Sequence, residues 1–236
     1  RVGTIDSKWE FFHEWKRLNE SEAGCIELPT MLRGICKKEN FLDLLENFIL
    51  YDHSDGRTVK ILSRNHQYLG VNQAVEMYRN REYVNGKLGV FWHTQGSGKT
   101  ALSYHLTYML NDYFAKQNKV AKFYFIVDRL DLLEQATQEF EARGLVVSTA
   151  NSRAELMEQF RNNQAQQGNS GQAEITVVNI QRFAEDKEKV RINDYATNLQ
   201  RVFIMDEAHR GYKPGGCFLA NLFEADTAAI KIALTG

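Results

Sequence analysis

Apolar residues in the first fifty positions recur at helical intervals. Trp9, Phe12, Trp15 and Leu18 make one series, and Phe41, Leu44, Leu45, Phe48 and Ile49 make another. The spacing predicts a short helical segment over residues 1–52 that packs a core or a domain seam. Tyr51 to Arg57 (YDHSDGR) is rich in turn formers and marks the boundary with a second unit, 53–236. A helix is predicted over 67–82. From about residue 88 the pattern changes to short apolar runs: Leu88–Trp92, Phe123–Val127, Leu145–Val147, Ile175–Val178, Val202–Met205 and Ile230–Leu234. Helix-length stretches near 99–117, 131–143 and 153–166 separate several of them, and Tyr104, Tyr108 and Met109 on the first are assigned to the core. Strands apolar on both faces and joined by helices predict α/β architecture, a parallel central sheet flanked by helices.

Composition narrows the class of protein without naming it. The 236 residues are 43% hydrophobic and 25% charged, enough apolar material for one sizeable core. Lys+Arg is 29 against Asp+Glu 30, a formal net charge of −1, which excludes a polycation but leaves room for a local nucleic-acid surface. No apolar run reaches the ~18 residues of a membrane span, so no membrane association is expected. Cys25, Cys36 and Cys217 form no CxxC pair, which argues against a disulfide framework or zinc ribbon and favours a reducing, cytoplasmic setting.

Two short strings carry chemistry. Gly96-Ser97-Gly98-Lys99-Thr100 follows the run Leu88–Trp92 and opens a helical stretch. Glycines let backbone N–H groups curl around phosphate oxygens, and the helix adds its positive N-terminal end. Lys99 then reaches the β- and γ-phosphates, and the Thr100 hydroxyl ligates Mg²⁺. The strict form G-x-x-x-x-G-K-[ST] is not met, because His93 stands where its first Gly belongs. The second string, Val202 to His209, is an apolar run ending in the adjacent acids Asp206 and Glu207. At the C-terminal end of a parallel strand such acids project into the ligand crevice. Asp206 is the expected Mg²⁺ ligand and Glu207 the general base for an attacking water. The sites together make Lys99, Asp206 and Glu207 the candidate catalytic set for hydrolysis of a nucleoside triphosphate. The alternative for the acids alone is a loop or helix cap.

Asp206-Glu207-Ala208-His209 resembles motif II of superfamily 2 helicases and translocases, whose motif I takes the short form G-x-G-K-[ST]. The longer strings from Phe91 to Thr100 and from Asp206 to Arg210 closely resemble the motor (R) subunit of type I restriction enzymes. Weaker matches follow in order at Val127–Gln135, Thr176–Phe183 and Leu234–Gly236. Arg64 to Tyr68 resembles the family segment in which a Gln reads the adenine edge, making Gln67 the candidate and Gln73 its rival. The resemblance covers roughly 60–236. It implies a RecA-like P-loop NTPase lobe, the first of two, that takes ATP and Mg²⁺ and couples hydrolysis to translocation along double-stranded DNA before endonucleolytic cleavage. Thr94, Gln95, Gly96, Ser97, Gly98, Lys99 and Thr100 are then nucleotide-binding, and His209 and Arg210 couple that site to DNA or to the second lobe. Arg129, Gln135, Gln181 and Arg182 become candidate DNA contacts; Arg129 has the alternative of pairing with a nearby carboxylate, and Gln135 of simply facing solvent. Implied partners are methyltransferase and specificity subunits, with residues 1–52 joining a nuclease domain to the motor. Competing readings are another superfamily 2 DNA or RNA helicase lobe, or a nucleotide-sensing or docking module that does not hydrolyse.

Overall fold

The computed structural model describes residues 1–5, 7–53, 56–81, 90–94, 96–161, 173–180, 199–208 and 226–236. Strands β3 (Val90–Trp92), β4 (Val120–Val127), β5 (Val146–Ala150), β6 (Glu174–Asn179), β7 (Leu199–Met205) and β8 (Ile230–Thr235) form one sheet in the order β3-β8-β7-β4-β6-β5. Every pairing in it is parallel, with Phe125 of β4 opposite Val177 of β6 and Ile204 of β7. This is the expected architecture. β4, β6 and β7 read as continuous apolar runs because helices cover both of their faces.

On one face lie α4 (Lys99–Ala115) and α5 (Leu130–Ala142), whose Leu102, Leu106, Phe114, Leu133 and Phe140 join Phe123, Phe125, Val177, Val202 and Ile204 in the main core. On the other, Leu156 and Phe160 of α6 (Arg153–Arg161) pack on Tyr124, Val178 and Phe203. Full burial of each such Phe or Leu contributes about 1.5–3 kcal/mol. The helix α3 (Asn65–Arg79) lies against α4 and adds Tyr68, Val71 and Val75 to the main core. Met109 and Tyr104 are partly buried there as expected, whereas Tyr108 faces solvent at 44% exposure. Among the described residues no helix is long and apolar enough to cross a membrane.

The N-terminal segment departs from its predicted helix. Short helices α1 (Leu28–Ile35) and α2 (Lys38–Asn47) do form, but the Trp9–Leu18 series contains only a single 3₁₀ turn, Trp9–Phe11. Backbone groups there find partners elsewhere. Val2 and His13 exchange N–H···O bonds of 2.8 Å. The N–H groups of Lys16 and Arg17 both donate to Asn65 Oδ1, at 3.1 and 3.0 Å. Trp15 is buried against Tyr68 (ring centroids 5.3 Å apart) and beneath Gly34 of α1, where a Cβ would come within 2.2 Å of the indole nitrogen. Trp15, Leu44 and Phe48 thus belong to the same core as α3 and α4. The turn expected at 51–57 begins later than its first residues: Tyr51 and Asp52 belong to β1 (Ile49–Asp52), which pairs antiparallel with β2 (Val59–Leu62), and the pattern announced neither strand.

Candidate functional site

The His93 N–H donates to the Thr235 carbonyl at 2.8 Å, so the β3–β8 ladder runs one residue past the strand before the chain turns away. The imidazole packs edge-on against His66, with ring centroids 4.9 Å apart, and burial lowers its pKa to about 4. Gly96 and Gly98 then take φ of +77° and +86°, the left-handed region that glycine enters without a Cβ penalty. At Gly98 a second constraint operates: an added Cβ would fall 2.6 Å from Gln67 Nε2. Gly98 caps α4, and Leu102 N–H closes the first helical bond to its carbonyl at 3.0 Å. The first N–H groups of α4 have no partner within the helix, which is what an anion needs.

Two strands away, Asp206 N–H extends the β7–β4 ladder to the Ile126 carbonyl at 2.9 Å. Glu207 follows at φ +48°, a left-handed conformation that costs a residue with a Cβ about 1–2 kcal/mol. The parallel order puts both turns at one rim of the sheet. There Lys99 Nζ lies 2.5 Å from Glu207 Oε1 and 3.9 Å from Asp206 Oδ1, with all three side chains at most 16% exposed. Asp206 Oδ1 is buried and has no hydrogen-bond donor. Burial raises the Asp206 carboxyl above its ordinary range, Lys99 pulls it back, and Glu207 and Asp128 push it up further.

These groups line a cavity of about 510 Å³ that also takes in Gly96, Gly98, Thr100, Asp128, Arg129, Gln135 and Glu139. A hard oxygen acceptor without a donor, beside a first-turn hydroxyl, fits a divalent cation such as Mg²⁺. Among the described residues no group of three His, Cys, Asp or Glu side chains is placed to hold a metal. Asp128 was not singled out from sequence, although its position directly after the apolar run of β4 is the same signal that marks Asp206.

The other candidates separate clearly. Gln67 is 4% exposed; its Nε2 donates to the Gly98 carbonyl at 3.0 Å and its Oε1 accepts from Arg64 N–H at 2.8 Å. Gln67 therefore touches the glycine turn, whereas Gln73 is exposed beside Phe91, Trp92 and His93 in a different cavity. Thr94 is exposed and its carbonyl accepts from Ser97 N–H at 3.2 Å. Arg129 takes the carboxylate option, with Nε 3.1 Å from Asp131 Oδ1 and a second contact between Nη2 and Oδ2. Gln135 is bonded to Glu139 on the exposed side of α5, at 2.9 Å. Gln95, Gln181, Arg182, His209 and Arg210 lie outside the described residues.

A parallel α/β lobe with a glycine turn, lysine and paired acids converging at one strand-end rim defines a RecA-like nucleotide-binding fold. Residues 66–236 match the family model described as SWI2/SNF2 ATPase, and the chain belongs to that family. It is also similar to type I restriction enzyme endonuclease subunits. The HindI subunit of Haemophilus influenzae is 30% identical over 89% of this chain and 20% of its own length. The putative MjaIXP subunit of Methanocaldococcus jannaschii is 26% identical over 100% of this chain and 23% of its own. A counterpart from Staphylococcus aureus is 30% identical over 74% and 19% respectively. The chain thus spans about a fifth of the length of the curated relatives it matches.

Proposed function

We propose that this chain is the first, ATP-binding motor lobe of the endonuclease subunit of a type I restriction enzyme, coupling hydrolysis to movement along double-stranded DNA. The observation that carries the reading is the convergence of Lys99 with Asp206 and Glu207 in one cavity. A triphosphate entering over Gly96, Ser97 and Gly98 competes with Glu207 for the Lys99 ammonium. Once Lys99 grips the β- and γ-phosphates, the Glu207 carboxylate is released to accept a proton from the attacking water. Thr100 and Asp206 would hold Mg²⁺, which supplies charge neutralisation on the phosphate oxygens when bound. Thr94, Gln95 and Gln67 complete the nucleotide side, Gln67 by tying α3 to the glycine turn. Arg129, Gln135, Gln181 and Arg182 are assigned to the DNA path, with Arg129 exchanging Asp131 for a phosphate, and His209 and Arg210 to coupling. Residues 1–52 connect the motor to a nuclease domain, and methyltransferase and specificity subunits are the expected partners.

The test is DNA-stimulated ATP hydrolysis by the intact protein. Lys99→Ala and Glu207→Gln are each expected to lower kcat by about 10²-fold or more. Near wild-type turnover in either variant overturns the assignment.

A further inference from the structure

At position 93 the strict phosphate-loop pattern has a glycine, and this chain has a histidine whose ring is built into the fold. The His93 N–H stays on the Thr235 carbonyl, at the last residue of β8. Its imidazole stands 6.0 Å from the Phe91 ring on one side and 4.9 Å from the His66 ring on the other, edge-on to both. Phe91 in turn presses on Gly70 of α3, one helical turn beyond His66, where an added Cβ would come within 2.9 Å of the Phe91 ring. Close approach of α3 to β3 at Gly70 therefore brings the two imidazoles together.

His66 passes the contact on to the glycine turn. Its Nε2 lies 3.0 Å from the Ser97 carbonyl, and because a carbonyl can only accept, Nε2 carries the proton. Burial holds the His93 pKa at about 4 and lowers that of His66 as well, so both rings are neutral at pH 7 and pack without charge repulsion.

The Ser97 carbonyl is the one whose direction the site can least spare. It shares a peptide unit with the Gly98 N–H. Turning that peptide over would swing an oxygen toward an incoming anion and withdraw a donor from it. Gly98, at φ +86° and without a Cβ, offers little steric resistance to such a rotation. His66 does resist it, from outside: neither His66 nor His93 lines the cavity of Lys99, Asp206 and Glu207.

We propose that His93 is a positioning residue for the phosphate grip: its ring holds His66 on the Ser97 carbonyl, and the Ser97–Gly98 peptide is thereby kept with its oxygen turned away from the phosphates. The role rests on the reading of the glycine turn as a triphosphate site. A glycine at 93 could not fill it.

Dissociation constants of ATP and of inorganic tripolyphosphate, each with Mg²⁺, together with kcat at saturating ATP, test the role in the intact protein. His93→Ala keeps the backbone bond to Thr235 and removes the ring. It is expected to weaken both ligands alike, about 2- to 10-fold, the range for loss of an edge-to-face ring contact. Its kcat should stay within about twofold, since a turn that is less often competent lowers apparent affinity but not turnover once filled. His93→Phe keeps an edge against His66 and should return both constants to within about twofold of wild type. His66→Phe loses the Ser97 bond and should weaken both ligands at least as much as His93→Ala. Because His93 acts through His66, adding His93→Ala to His66→Phe should cost nothing further. Losses that multiply in the double variant overturn the role. So does wild-type affinity for both ligands in His93→Ala, or a fall in kcat as large as the fall in affinity. A wild-type protein that binds ATP but not tripolyphosphate overturns the phosphate reading of the turn itself, and the positioning role falls with it.

Discussion

Asp206 carries a conflict that its neighbours relieve only in part. Its side chain is 16% exposed and one carboxylate oxygen has no donor, so its charge is held in place largely by Lys99 at 3.9 Å. The carboxyl pKa is raised from its ordinary 3.8, with burial as the first cause. The native state then binds its proton more tightly than the unfolded chain does, so stability falls as pH rises through the window from 3.8 to the raised value. Above that window the cost is fully present. Asp206→Asn removes the charge and keeps the shape, and relief of an unsatisfied buried group is worth roughly 1 kcal/mol. We expect the ligand-free variant to melt about 2–4 °C above the wild type at pH 7, with the gap shrinking as pH is lowered toward 4. Thermal melts across that range check this; a variant that melts below the wild type at pH 7 contradicts it. The same substitution should abolish metal-dependent turnover, the usual exchange of stability for function at a charged site.

At the scale of elements, β7 shows both what the residue pattern reveals and what it hides. The apolar run read from sequence begins at Val202, and the charged Arg201 stands just before it. In the fold β7 starts at Leu199, and Arg201 is 2% exposed. Arg201 Nη1 lies 3.1 Å from Asp226 Oδ2, and Nη2 donates to the Phe160 carbonyl at 2.7 Å. The guanidinium thereby ties β7 to the end of α6 and to the approach into β8. Arg201→Met leaves Asp226 buried without its partner, for a cost of about 3–5 kcal/mol, whereas Arg201→Met with Asp226→Leu should recover most of that loss. Urea unfolding of the single and double variants measures both, and a single-variant loss below about 1 kcal/mol refutes the strut. Such a pair is illegible in sequence because its members stand 25 positions apart, Arg201 interrupts the apolar pattern of its strand and Asp226 lies outside any element. The same holds for Asn65, whose carboxamide captures Lys16 and Arg17 from 49 and 48 positions away and so overrides the helical spacing of Trp9, Phe12, Trp15 and Leu18. β1 and β2 escaped notice because Leu50 is the one buried residue they contribute, too little apolar alternation to signal a strand. The sheet strands were legible because burial on both faces writes them as unbroken Val/Ile/Phe runs. Lys99, Asp206 and Glu207 were legible because each stands directly where a strand or glycine turn ends.

For the molecule as a whole, a near-neutral charge conceals an imbalance that decides how the site is filled. The chain carries a formal −1. Yet among the described residues Asp128, Glu139, Asp206 and Glu207 line the cavity at this rim, against Lys99 and Arg129. Lys99 is already engaged by Glu207 and Arg129 by Asp131. A triphosphate approaching this rim meets more carboxylates than cations among these lining residues, and because Asp206 and Glu207 are at most 16% exposed that repulsion is screened less than in bulk water. Capture of Lys99 by the phosphates worsens the balance, since it takes from Glu207 the ammonium that it pairs with. Under the proposed function, a divalent cation on Asp206 and Thr100 is then expected to be a condition of binding rather than a refinement of catalysis. Ligand binding to the native state raises stability by RT ln(1 + [L]/Kd), about 2.7 kcal/mol at a hundredfold excess over Kd, or roughly 5–10 °C for a chain of this size. With Mg²⁺ present, ATP should produce a shift of that order in the melting temperature of the protein. With EDTA in place of Mg²⁺ at the same ATP concentration, the shift should fall to about 1 °C or less. A full ATP-induced shift that survives EDTA means that Lys99 and the α4 N-terminus overcome the four carboxylates unaided, and the charge argument is then wrong.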